Sequence, residues 1–283
     1  KATGDESIGV YAKNGTIKLG LAGTGTGNYE IGTNGVLFYS DGTGAGRIET
    51  SGVNFTVGDG SLFTRITTPS TTPGNEQIKF THTAGNTNLK LLSGGIGFVY
   101  TGDGVTPVTS GMITSYFSNN YFGIGNMDVT VNPGARLYVI EKYATMNLSA
   151  IGAITAPSTI FHDVINNGGS KAFLLRGTLV LDPSSGIVDL DSTAEHYNLI
   201  EKARTGVTVN GGVTVNGTKP GQIALIDDNS YDTTLYVKMN NNGIINLSGA
   251  NSTGIYANRG EVRNNGLVSV LGDSNIGIFS ENG

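Results

Sequence analysis

Asp189 and Asp191 are separated by one residue, so an extended chain would carry both carboxylates on one face. Two such carboxylates can bind Ca²⁺ or divide the acid and base roles of glycosidic cleavage. Asp182 lies just upstream, and Asp227, Asp228 and Asp232 form a second acidic group. The simpler reading of alternate Asp on an outward strand face is solvation. The three histidines, His82, His162 and His196, lack metal-ligand spacing and read as surface residues. The runs Gly23-Thr24-Gly25-Thr26-Gly27 and Gly42-Thr43-Gly44-Ala45-Gly46 have neither the spacing of a dinucleotide loop nor the Lys-Ser/Thr of a phosphate loop. They read as tight turns. No catalytic residue, metal ligand or cofactor is expected, and the chain reads as a non-enzyme.

Aromatic residues give a different signal. Tyr11, Tyr256 and Phe279 occupy the same place in a repeated motif, and an outward row of them would offer a flat amphipathic surface to a partner. Arg65, Thr67 and Ser70 are further binding candidates. They fall in residues 64–76, a stretch with two prolines that reads as a protruding loop. Residues 101–119, rich in Thr and Ser, read as a second such loop.

The motif sets the architecture. Gly4 to Gly15 aligns with Gly272 to Gly283, and a third copy runs from Gly249 to Gly260, 23 residues before the last. Ile8, Val10 and Ala12 share one face of a strand, with Gly9, Tyr11 and Lys13 on the other. By the same rule Ile255 and Ala257 point inward, and so do Ile276, Ile278 and Ser280. Asn242-Gly243-Ile244-Ile245-Asn246-Leu247 recurs as Asn265-Gly266-Leu267-Val268-Ser269-Val270. Short strands closed by Asn or Gly turns at a fixed period describe stacked coils, since one coil cannot bury its apolar residues alone. Asn14, Asn242, Asn265 and Asn282 are candidates for amide ladders at the turns.

The expected fold is therefore all-β, a right-handed parallel β-helix with about 23 residues per coil where regular, in a single segment over 1–283. A sandwich or barrel also has short strands, but does not predict near-identical motifs at one period. Ser192-Thr193-Ala194-Glu195 has the pattern of a capping box and predicts a helix over 192–204.

Composition agrees. Charged residues are 14%, the formal net charge is −5, and there are 44 Gly and no Cys. Long amphipathic helices and a basic nucleic-acid face are excluded by this balance. No run of apolar residues is long enough for a membrane-spanning helix.

Gly-Ile-Tyr-Ala-x-x-Gly at 254–260, Gly-Ile-Phe-Ser-Glu-Asn-Gly at 277–283 and Asn-Gly-Ile-Ile-Asn-Leu-Ser-Gly at 242–249 resemble the repeats of very large autotransporter adhesins, the fusobacterial ones above all. The C-terminal third carries the resemblance, with Gly4 to Gly15 as a separate match, and 61–240 diverges. It implies an extracellular passenger at the cell surface, cut from a longer chain and tethered by an outer-membrane β-barrel that this sequence does not contain. It also implies adhesion to a host-cell receptor or glycan, or to other bacteria, or service as a rigid spacer, by a monomeric segment. The alternative is a polysaccharide lyase or hydrolase, or a tailspike-like protein, on the same scaffold.

Overall fold

A computed structural model describes residues 2, 4–11, 15–20, 27–40, 46–66, 78–82, 87–100, 107–118, 127–140, 144–154, 173–192, 196–201, 206–227 and 237–282. Among the described residues strand takes 61% and helix 8%, so the structure is all-β, with mostly parallel sheets. The chain divides into two compact units, Lys1–Glu141 with Ala153–Phe173, and Lys142–Gly152 with Leu174–Gly283.

In the first unit the chain visits three parallel sheets in turn, until the helix Ser110–Ser118 stands between the first sheet's Ile96–Tyr100 and the third sheet's Met127–Val131. One contains, in hydrogen-bonded order, Ile8–Tyr11, Val36–Ser40, Leu62–Ile66, Ile96–Tyr100 and Arg136–Ile140. The next contains Gly15–Leu19, Gly46–Thr50 and Ile78–His82. The third contains Gly27–Ile31, Val53–Val57, Thr87–Leu91 and Met127–Val131. The second unit repeats the arrangement. Thr178–Leu181, Gly206–Val209, Val237–Asn241 and Gly260–Asn264 share one sheet with Thr145–Asn147. Ile187–Asp189, Thr214–Gly217, Ile244–Leu247 and Leu267–Val270 form another. Ile223–Asp227, Thr253–Asn258 and Ile276–Glu281 form the last.

Strand alternation explains which residues are covered. Val53, Phe55 and Val57 are buried while Asn54 and Thr56 are half-buried, and Thr87, Leu89 and Leu91 alternate with exposed Asn88 and Lys90. Ile255 and Ala257 point inward as expected and are fully buried, and each fully buried Ile, Val or Leu stabilises by about 1.5–3 kcal/mol. Ile8, Ile276 and Ile278 differ: they are 53%, 44% and 42% exposed. They lie on the first or last described strand of their sheets, where no neighbouring described strand covers them. In the first unit the centre is aromatic. Phe38 meets Phe55 and Phe63 edge-on at 5.4 and 5.3 Å, and Phe63 meets Phe98 at 5.5 Å.

The motif itself is a turn followed by a strand. Its third residue takes left-handed backbone in every copy, with φ of 55° at Glu6, 56° at Asn251 and 59° at Ser274. Successive turns stack through the main chain, for example Asn251 N–H to the Asp273 carbonyl at 2.9 Å. The motif's strand glycine is required by this close stacking. A Cβ on Gly254 would lie 2.5 Å from the Gly277 carbonyl oxygen.

The step between paired strands is 23 residues from Asn241 to Asn264, but 30 from Asn216 to Asn246, 26 from Asn28 to Asn54 and 34 from Asn54 to Asn88. The sheets keep register because the extra residues fall between strands. The helix expected over 192–204 is confined, among the described residues, to His196–Leu199, and is followed at once by the strand Ile200–Glu201. Two helices were not expected from the sequence. Ser110–Ser118 takes most of the described part, 107–118, of the irregular stretch read at 101–119, and Leu148–Ile154 follows the strand Thr145–Asn147. Residues 101–106 and 119 lie outside the described residues. Ser110–Ser118 is held by Ile113 and Phe117, both buried, with the Phe117 ring 4.7 Å from Tyr138.

Candidate functional site

The outward rows of side chains are the features most able to meet a partner. Tyr256 and Phe279 pair in register, with ring centroids 5.6 Å apart and planes 12° from parallel. The Tyr256 hydroxyl donates to the Glu281 carboxylate. Phe279 remains 39% exposed, so the stack shows an apolar edge beside an acidic group. In the first unit Tyr11 is 47% exposed and stacks on Tyr39 at 5.8 Å. Tyr39 is in register with Arg65, so two tyrosines and an arginine share one row. Arg65 is therefore an exposed strand residue of Leu62–Ile66 rather than part of a loop beginning at 64. Tyr39 was missed because stacking depends on register across 28 residues, which the local sequence does not display. Thr67 and Ser70 lie outside the described residues.

Amides form a second kind of row. Asn54 donates to Asn28 at 2.9 Å and Asn88 donates to Asn54 at 2.7 Å, in register on one sheet face. In the second unit Asn246 donates to Asn216, Asn265 to Asn242 at 3.0 Å, and Asn282 to Asn258 at 3.1 Å. The ladder expected at Asn242 and Asn265 is thus formed, and Asn282 takes Asn258 as its partner. Asn14 lies outside the described residues. Each side-chain amide has two N–H donors and two acceptor lone pairs, and a ladder bond on either side uses one of each. The remainder faces solvent in a regular polar row.

Asp189 and Asp191 do not share one strand face. Asp191 leaves the strand, which ends at Asp189, and its carboxylate accepts from the Thr218 hydroxyl at 2.6 Å, the Thr218 N–H and the Gln222 amide at 2.8 Å. Its main-chain carbonyl accepts from the Lys219 ammonium at 3.0 Å. The Thr218 hydroxyl bond, opposed by partial desolvation and helped by the Gln222 and main-chain donors, holds the Asp191 carboxyl below the ordinary range. Asp189 instead accepts from the Asp191 N–H at 2.9 Å. Asp191 is a clamp between adjacent turns. Local sequence does not display this, because its partners come 27 to 31 residues later.

Asp182 accepts from the Ser149 N–H at 3.1 Å, from its hydroxyl, and from Ser184 at 2.7 Å. It therefore satisfies a donor in the first turn of Leu148–Ile154. Asp227 is fully buried at the end of Ile223–Asp227. Asp228, Asp232 and His162 lie outside the described residues, while His82 ends one strand and His196 begins the four-residue helix. Among the described residues no three of His, Cys, Asp or Glu gather to hold a metal ion. No described helix is long and apolar enough to cross a membrane.

Two shallow hollows mark the second unit. One, of about 260 Å³, is lined by Asn216, Thr218, Asn246, Ser269 and Leu271 beside the amide ladder. The other, of about 310 Å³, lies beside the Asp191 clamp among Leu190, Asn198, Gln222 and Ile226. Both sit at or below the small end of the range for ligand pockets, about 300–1,000 Å³. No family model, curated protein or solved structure matches the chain.

Proposed function

We propose that this chain is a right-handed parallel β-helix, of about 23 residues per coil where regular, that belongs to the passenger of a bacterial surface autotransporter. Its work is adhesive and not enzymatic: it presents outward rows to a host-cell receptor or glycan, or to another bacterial surface, and spaces the segments around it. The observation that carries this reading is the in-register stacking of outward side chains, exposed or half-buried, aromatic at Tyr256 and Phe279 and amide at Asn28, Asn54 and Asn88. Recognition by such a face comes from area and a few aromatic anchors, with polar groups fixing register. The motifs at 242–249, 254–260 and 277–283 supply the resemblance that points to a surface passenger.

The test is binding of the purified chain to host cells, to bacteria and to an array of immobilised glycans. The wild type is compared with Tyr256→Ala/Phe279→Ala and with a variant lacking 67–76, which leaves the strand Leu62–Ile66 whole. Binding that falls at least tenfold in either variant, with the fold intact by circular dichroism, supports the adhesive reading. Failure of the folded wild type to bind any surface removes adhesion and leaves the spacer role. Depolymerisation of a polysaccharide, abolished by substitution of Asp189 and Asp191, would overturn the non-enzymatic reading.

A further inference from the structure

Asn–Gly pairs are the positions at which a protein chain most readily modifies itself. The glycine main-chain nitrogen attacks the asparagine side-chain carbonyl carbon, forms a five-membered succinimide and expels ammonia. Water then opens the ring to aspartate or isoaspartate. The local sequence favours the step wherever glycine follows asparagine, since glycine lacks the Cβ that hinders attack. Folding must decide among otherwise similar sites.

Five Asn–Gly pairs lie wholly within the described residues: 34–35, 210–211, 216–217, 242–243 and 265–266. Four are restrained. The Gly35 N–H donates to the Ser61 hydroxyl at 3.0 Å, and the Asn34 amide donates to Asp5 at 2.9 Å. The Gly243 N–H donates to the Asn241 side-chain carbonyl at 3.1 Å, and Asn242 is held by Asn265. The Gly266 N–H donates to the Asn241 main-chain carbonyl at 3.0 Å. Gly217 lies within the strand Thr214–Gly217, paired with Leu247, and Asn216 accepts from Asn246.

The fifth pair differs. Asn210 to Val213 is a tight turn closed by the Val213 N–H on the Asn210 carbonyl, with φ of 86° at Gly212. Gly211 and Gly212 are exposed, and Asn210 is half-buried. Among the described residues neither the Gly211 N–H nor the Asn210 side chain makes a hydrogen bond. The corresponding turns of the next two coils, at 242–243 and 265–266, lack the extra residues, and their glycines enter the following strands almost directly.

We infer that Asn210–Gly211 is a self-modification site of the folded protein, converting asparagine to aspartate or isoaspartate with release of ammonia and uptake of water. No enzyme or cofactor enters the balance. Isoaspartate would add a methylene to the main chain where it passes between two sheets. Either product places a new carboxylate on an exposed turn.

The experiment is peptide mapping by mass spectrometry after incubation of the native chain at mildly alkaline pH. The readouts are the mass gain that exchanges NH for O and the separation of the two isomeric products. Conversion at Asn210 should outpace that at Asn34, Asn216, Asn242 and Asn265 by about tenfold or more, the factor for breaking one net hydrogen bond before attack. In denaturant the five rates should converge. Gly211→Ala should slow Asn210 without unfolding the chain. Its backbone is not left-handed, and its Cβ would meet only the Asn242 carbonyl oxygen at 3.8 Å, an ordinary contact. Conversion in the native state as fast at any of the other four sites, or none at Asn210 while the denatured chain converts, would overturn the inference.

Discussion

Asn241 offers the sharpest test of how the stacked strands hold one another. It is fully buried at the end of Val237–Asn241. Its amide nitrogen donates to the Asn264 side chain at 2.8 Å and to the Leu267 carbonyl at 3.3 Å, while its oxygen accepts from the Gly243 N–H at 3.1 Å. One side chain thus joins its own turn to the next strand and to the one after it. In Asn241→Ala the buried Gly243 N–H loses its acceptor, which costs about 1–3 kcal/mol, and each lost bond to a partner that water can reach adds up to about 1 kcal/mol. The expected loss is about 3 kcal/mol, or a fall in Tm of roughly 6–12 °C for a chain of this size. Asn264 is exposed, so in Asn264→Ala water replaces its side-chain oxygen beside the Asn241 amide, which keeps its bond to the Leu267 carbonyl, and the cost should stay under about 1 kcal/mol. Both variants are read by urea unfolding and by calorimetry. Equal losses in the two, or an Asn241→Ala change within about 0.5 kcal/mol of wild type, would refute the bridging role.

Other consequences follow from the same structure. Phe55, 1% exposed and 5.2 Å from Phe63, should cost about 3–5 kcal/mol on substitution by alanine, and a loss below about 1 kcal/mol in urea unfolding would contradict its central place. Gly254→Val drives a side chain against the Gly277 carbonyl and should destabilise by about 1–3 kcal/mol, whereas unchanged thermal unfolding would show that the strands do not approach so closely. The Asp191 carboxyl lies below its usual 3.8 in the folded state, so its stabilising effect is present above that value and is lost as pH falls through the folded pKa. Asp191→Asn should therefore remove a pH-dependent part of the unfolding midpoint in that acid range. A carboxyl resonance of Asp191 titrating at or above 3.8 would contradict the clamp.

The sequence carried the strand-and-turn plan best where the step between paired strands is shortest. Ile244 and Leu267, Asn242 and Asn265, and Tyr256 and Phe279 could be paired by eye because identical motifs recur at one step. Pairing of Asn54 with Asn88 was not legible, since 34 residues separate them and the intervening sequence shares no motif. Ser110–Ser118 escaped notice because Gly111, Ile113 and Thr114 are poor helix formers, and packing by Ile113 and Phe117 supplies what propensity lacks. The capping-box pattern at 192–195 misled in the other direction, predicting a longer helix than the four residues that precede the strand Ile200–Glu201. Candidate carboxylates were visible as residue types, but their roles were not. Asp191 acquires Thr218 and Gln222 through stacking, and Asp182 acquires Ser149 in the same way beside its local partner Ser184.

The central claim is that the strands stack in parallel, in the stated register, with rows of side chains facing outward. The chain has no native cysteine, so engineered pairs report on it without interference. Asn246 and Ser269 are in-register neighbours on the same face, and parallel strands lie about 4.8 Å apart, within the span a disulfide bridges. Val268 is the partner of Ile245, on the opposite face. Asn246→Cys/Ser269→Cys should oxidise to an intramolecular disulfide with the fold retained, and Asn246→Cys/Val268→Cys should not. A disulfide in the second pair, or free thiols in the first under the same oxidant, would contradict the register on which the account rests.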